Sequence, residues 1–424
     1  MAIRIRHYVS FRSLITVGLV LLCSVSAVGL RQNLQEPRWI TAWSTSQQGL
    51  GTMTVTNATV RMIARVTLPG EAIRVRFDNT FGTSPLKIGR AFVGHRARNE
   101  ALVEGSNRQL LFGGSESVVV PVAGTVTSDS VAVPILAYED IAVSLYIPEA
   151  NVRPSQHGGA LTTSYVSANG SGDVTTDEVP LMPGRASAAD SPFTATTASM
   201  LWLKSIDVLN SSSTGAVVAI GDSITDGSCS TIDAHDRWLD WVGVRLALAG
   251  IPKAVLNEGI GGNTITRKDL RPPASSTPGL ERLDRDVFSH YGVTHVILFE
   301  GTNDIRREAS AEQVIAGMKH VIAQVKSRDL RIIGTTIIPR HNYPASGDNT
   351  GWDSNKTMTR RVVNEWIRTE ADFDGVLDFD RAMRDPLNPD LNYPSFHCDG
   401  IHPNPRGYYE MAKTVNLDML SNNR

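Results

Sequence analysis

Apolar and polar positions alternate in short runs from Trp39 to Leu209. "TVRMIARVTL", "AIRVRFDN", "LKIGRAFVG", "SVVVPV", "DIAVSLYIP", "LTTSYVS" and "MLWLKSIDVL" each read as strands, several with a period of two. Turn chemistry separates them, with Gly, Pro, Asn, Ser and Asp gathered in "LPGEA", "NTFGTSP" and "SANGSGD". Helical spacing is almost absent. The pattern predicts an antiparallel β-sandwich of jelly-roll type over residues 38–209. It ends at a polar, flexible boundary, "NSSSTG", Asn210 to Gly215.

After Gly215 the rhythm changes. Continuous apolar runs, "AVVAIG", "KAVLNEGI", "THVILFEG", "RIIGTTIIP" and "GVLDFD", alternate with helical stretches. Helices are predicted near Trp238–Ala249, Ala311–Arg328, Lys356–Glu370 and Pro405–Leu420. Apolar strands separated by helices predict an α/β domain over 215–424, a parallel sheet covered on both faces. Ligands of such sheets bind at the carboxyl ends of the strands. No internal repeat or low-complexity tract is present.

Composition narrows the picture. The chain has 424 residues, 41% apolar and 20% charged, with a formal net charge of −2. With no basic block after the N-terminus, nucleic acid is not expected as a partner. Arg4, Arg6 and Arg12 precede an uncharged run from Leu14 to Leu30 that ends in "SVSAVG". This predicts an export signal over residues 1–29, cleaved after Ala27 or Gly29, and a secreted or periplasmic protein. The alternative, an uncleaved anchor, suffers from a run at the bottom of the spanning range. Leu22 before Cys23 disfavours a lipoprotein. No later segment is apolar enough to span a bilayer, so no stable membrane insertion is expected after cleavage. Cleavage leaves Cys229 and Cys398 in an oxidising setting.

Four stretches predicted at strand ends or loops carry polar residues that an apolar core has no use for: Gly221-Asp222-Ser223, "NEGIGGNT" (Asn257–Thr264), "EGTND" (Glu300–Asp304) and "CDGIHPNPRGY" (Cys398–Tyr408). All four are expected at one edge of the sheet. A serine hydroxyl is a weak nucleophile until a base takes its proton. His402 is the candidate base, and Asp399, three residues earlier, is placed to hold the imidazole. The backbone N–H groups of Ser223 and Gly262 and the amide of Asn303 are candidate donors to a developing oxyanion. Each residue also has a plainer reading: a helix cap for Ser223, tight turns for "GIGGNT" and Asn303, a chance pair for D-x-x-H. Their order and common placement argue for chemistry.

On these residues the second half, about Gly215 to Leu420, resembles the SGNH hydrolases, the GDSL-type esterases and lipases. "GDSIT" supplies the serine, "NEGIGG" the glycine, "GTND" the asparagine and "DGIHPN" the aspartate and histidine. The resemblance implies a flavodoxin-like α/β fold, with Ser223 as nucleophile, His402 as base and Asp399 as its orienting acid. It also implies an oxyanion hole of Ser223, Gly262 and Asn303. Ile224 stands where the family's name motif has leucine, a near-isosteric change. An α/β-hydrolase fits less well, since G-x-S-x-G would need glycine where Thr225 stands. The first half looks like the domain preceding some secreted SGNH esterases.

Asp222 is expected to brace the nucleophile turn. Because Ser223 and His402 must approach one another, the loops of Cys229 and Cys398 border one site, and a disulfide is predicted between them. His157 is expected on an exposed loop, and Trp39, Trp43 and Trp202 in the core, with Trp238 and Trp241 packed inward. No cluster has zinc spacing, so neither metal nor cofactor is expected. Together these features predict a secreted serine esterase acting on short-chain or O-acetyl esters of carbohydrates. The alternatives are a lipase or phospholipase on longer acyl chains, and a carbohydrate-binding protein carrying an inactive hydrolase domain.

Overall fold

Strand Gly215–Gly221, "GAVVAIG", is buried at every position, as a strand covered on both faces must be. It pairs in parallel with Lys253–Gly259 on one side and Val293–Phe299 on the other. Arg331–Thr335 and Gly375–Leu377 extend the sheet, also in parallel. Numbered in chain order, the five strands run 2-1-3-4-5, the flavodoxin-like order, whose switch point lies between the first and third strands. The computed structural model describes residues 36–179, 191–340 and 351–421. The export signal expected at 1–29 lies outside them. Among the described residues no helix is long and apolar enough to cross a membrane.

Alternate side chains of the central strand serve different layers. Val217 and Ala219 pack with Trp238 and Val242 of helix Trp238–Leu248 and with Tyr408 and Met411 of helix Pro405–Thr414. Ala216, Val218 and Ile220 belong to a second cluster that includes Val314 and Met318 of helix Ala311–Lys326. That cluster runs on into the antiparallel half through Ile40, Val75 and Ile206. The apolar core is therefore continuous across the two halves, and the described residues from Glu36 onward pack as one compact unit.

The N-terminal half is antiparallel. One sheet has the order Arg38–Ser44, Leu203–Asn210, Ile73–Asp78, Thr125–Thr127. A larger one is built on Ala58–Arg65, Asp140–Ile147 and Arg90–Arg98. The run "MLWLKSIDVL" is broken at Trp202, which is fully buried at φ 57°, so it forms two strands, Met200–Leu201 and Leu203–Asn210. Trp39 and Trp43 are half-buried rather than central, with Arg74 stacked over Trp39 at 4.4 Å.

Two further expected features differ. The boundary at Asn210–Gly215 is a tied turn, because Asn210 Oδ1 accepts from the N–H groups of Ser212 and Ser213 at 2.8 and 2.6 Å. The last predicted helix stops at Thr414, and a separate short helix, Asp418–Ser421, follows. There Asn416 Oδ1 accepts from Asp418 N at 3.0 Å, offering the backbone a bond that competes with helix continuation.

Candidate active site

The turn after the first strand is shaped by close approach. A Cβ on Gly259 would lie 2.2 Å from Asp226 N, so glycine is what lets the short helix Ser223–Asp226 sit against the second strand. Asp222 caps that helix, its Oδ1 accepting from Ile224 N at 2.9 Å. Capping by Asp222 leaves the Ser223 hydroxyl to another partner. Ser223 Oγ lies 2.9 Å from His402 Nε2.

His402 is held from behind, Nδ1 lying 2.6 Å from Asp399 Oδ2. A carboxylate only accepts, so Nδ1 carries the proton and Nε2 is left as acceptor for the Ser223 hydroxyl. Burial pushes the Asp399 carboxyl up, but hydrogen bonds from the His402 ring and from the backbone N–H groups of His402 and Ile401 outweigh it and hold it below the usual carboxylate range. A disulfide joins Cys229, six residues beyond the serine, to Cys398, beside Asp399, with Cα atoms 6.3 Å apart. Among the described residues the one grouping of metal-ligating side chains is Cys229, Cys398 and Asp399, and both its sulfurs are in this bond.

Candidate donors line the same cleft. Gly262 turns at φ +73°, a left-handed conformation that glycine adopts without strain. Asn303 Nδ2 donates to Asn263 O at 2.9 Å and reaches Asp222 Oδ2 at 3.4 Å, so the amide is tied to both neighbouring loops. Ser223, Gly262, Asn303, Asp399 and His402 all line one open cleft of about 500 Å³. A hydroxyl hydrogen-bonded to an imidazole, itself bonded to a carboxylate and facing amide donors, can carry out acyl transfer.

Residues 219–409 match the family model described as the GDSL-like Lipase/Acylhydrolase family. The chain carries a GDSL-like hydrolase domain. Its activity class is carboxylic ester hydrolysis. Among solved structures the chain is similar to a GDSL-like lipase from Bacteroides thetaiotaomicron, at 18% identity over 49% of this chain and 88% of that one, with a TM-score of 0.37. It is also similar to a carbohydrate acetylesterase family member from Sinorhizobium meliloti, at 18% identity over 49% and 99% of the two chains, with a TM-score of 0.40. No curated protein matches the chain.

The GDSL-like domain buries three acids beneath its cleft. Burial pushes Asp222 up to about 6, against the Ile224 N–H and the charges of His402 and Arg340. Burial and the neighbouring Asp222 raise Glu300 well above the usual range. Burial likewise brings Asp304 up to about 7, although its carboxyl accepts from Ile265 N and Thr266 N. A carboxyl raised in the folded state contributes stability that is full below its unfolded pKa, about 4, and is lost as pH rises through about 7. Asp304→Asn, which cannot ionise, should therefore gain stability relative to wild type between pH 5 and pH 8. Urea midpoints of both proteins at the two pH values check this; an identical difference at each would refute it.

Other residues of the hydrolase site had no motif to mark them. Arg340 and Arg306 line the cleft. Arg340 follows the fourth strand by five residues, where the strand-end rule points. His157 is a correction. It is not on an exposed loop but 2% exposed in strand Ser155–His157. The reason is that both ring nitrogens find acceptors, Ser46 O at 2.8 Å and Asp226 Oδ1 at 3.0 Å.

Proposed function

We propose that this chain is an exported serine esterase that cleaves short-chain carboxylic esters, foremost O-acetyl groups on carbohydrates, through an acyl-enzyme on Ser223. The observation that carries the reading is the unbroken relay of Asp399, His402 and Ser223 at a cleft that also holds Gly262 and Asn303. Ser223 Oγ attacks the ester carbonyl as its proton passes to His402 Nε2, while Asp399 stabilises the resulting imidazolium. The N–H groups of Ser223 and Gly262 and the Asn303 amide receive the negative oxygen, each worth roughly 3–4 kcal/mol. His402 returns the proton to the departing alcohol. Water then enters by the same steps in reverse and frees the acid.

The lining supports a short acyl group. Ile401 is its one apolar side chain among the described residues; Thr302, Arg306 and Arg340 are polar or charged. Export is supported by the arginines and uncharged run before Leu30 and by a disulfide, which persists in oxidising compartments. The test is the chain-length series of p-nitrophenyl esters on the purified protein. Acetate should exceed octanoate in kcat/KM by about tenfold or more. A preference for eight carbons or longer overturns the short-chain reading and favours a lipase.

A further inference from the structure

Arg282, which the chemistry above does not use, is fully buried at the junction of the two halves. Its guanidinium touches all three loops that bring donors to the cleft. Nη2 donates to Gly221 O at 3.1 Å, just before Asp222 and Ser223. Nε donates to Asn263 Oδ1 at 3.0 Å, and the carbonyl of that same Asn263 holds the Asn303 amide. Nη2 also lies 3.6 Å from Glu300 Oε1, just before Gly301 and Asn303.

One contact of this cation crosses to the antiparallel half, while Nη1 also donates to Glu258 O at 2.7 Å within its own half. Nη1 donates to Ser46 Oγ at 2.9 Å, and that hydroxyl donates to Glu258 Oε2 at 2.5 Å. Lys204 Nζ, 2.6 Å from Asp286 Oδ1 and 3.5 Å from Glu258 Oε2, balances the acids that face Arg282. A second set of contacts also joins the halves. His157 binds Asp226 Oδ1, and Asp226 Oδ2 accepts from Gly261 N at 3.1 Å, one residue from Gly262. Unpaired charges are costly at this depth, and groups sharing one buried network hold a single geometry.

We propose that the N-terminal half acts in catalysis as a brace for the oxyanion loops, with Arg282 as the positioning residue through which it acts. The proposal rests on the serine esterase reading above. It predicts a loss in kcat at nearly constant KM, because the donors that drift from their places act on the transition state rather than on bound ester. A shift of about 1 Å in such groups costs on the order of 10²-fold.

The experiment uses the whole protein and p-nitrophenyl acetate, with Ser223→Ala, Arg282→Lys and Ser46→Ala beside wild type and circular dichroism to report folding. Arg282→Lys keeps the charge but not the fork of donors. The expected result is an inactive Ser223→Ala and a folded Arg282→Lys whose kcat falls about 10²-fold with KM within about threefold. A folded Arg282→Lys with kcat within about threefold of wild type overturns the brace while leaving the esterase reading intact. A fully active Ser223→Ala removes the esterase reading itself, and the brace with it. If Arg282→Lys does not fold, Ser46→Ala decides: a kcat lowered about tenfold at unchanged KM supports the brace, and an unchanged kcat overturns it.

Discussion

Ser223→Ala is expected to lower kcat for p-nitrophenyl acetate by at least about 10⁴-fold, with the protein still folded. The effect is large because the substitution removes the one atom to which the acyl group would be joined. Its structural cost should be small. Ser223 Oγ bonds to His402, and helix Ser223–Asp226 is capped by Asp222, so alanine leaves the turn its cap. A residual rate is expected, since the donors of the oxyanion loops remain to bind an ester that water attacks directly. Stopped-flow release of p-nitrophenol should show a burst in wild type, if deacylation limits turnover, and none in the variant. A variant within about tenfold of wild type would sink the nucleophile assignment.

The fold of the C-terminal half was legible because parallel strands buried on both faces are apolar without interruption, and "GAVVAIG" and "HVILF" have no other simple reading. The strand-end rule then pointed to the residues gathered around the cleft. It led to Ser223, Gly262 and Asn303, while the Asp399–His402 pair stood out on the loop before the last helix; all lie far apart in sequence but line one cleft. What stayed hidden has a common physical cause. Arg282, Lys204, Ser46 and His157 are polar residues that each have a partner in the other half of the chain, up to 236 positions away. Periodicity carries no information about such pairs. A lone histidine in "SQHGG" gives no sign that both its nitrogens will be met. Trp202 is similar: its strand pattern is clear, but the backbone turn at φ 57° depends on Ser155 O accepting from its N–H and Asp78 N donating to its carbonyl.

Replacing His402 tests the relay from its other end. His402→Ala should reduce kcat by about 10⁴-fold or more, because the hydroxyl then has no base within reach. The Asp399 loop should survive the change. Asp399 Oδ1 keeps its bonds from the backbone N–H groups of Ile401 and His402 at 2.9 and 2.8 Å, and the disulfide at Cys398 still anchors the segment. Oδ2 loses its partner, but the carboxyl side chain is 37% exposed and water can replace the imidazole. The thermal midpoint should therefore move little while turnover is lost. The double variant separates a working relay from two independent contributions. Groups that act as one unit are non-additive, so Ser223→Ala with His402→Ala should be no slower than either single variant. Losses that multiply, reaching about 10⁸-fold, would mean that the two side chains serve the reaction separately and that their 2.9 Å contact is not the path of the proton.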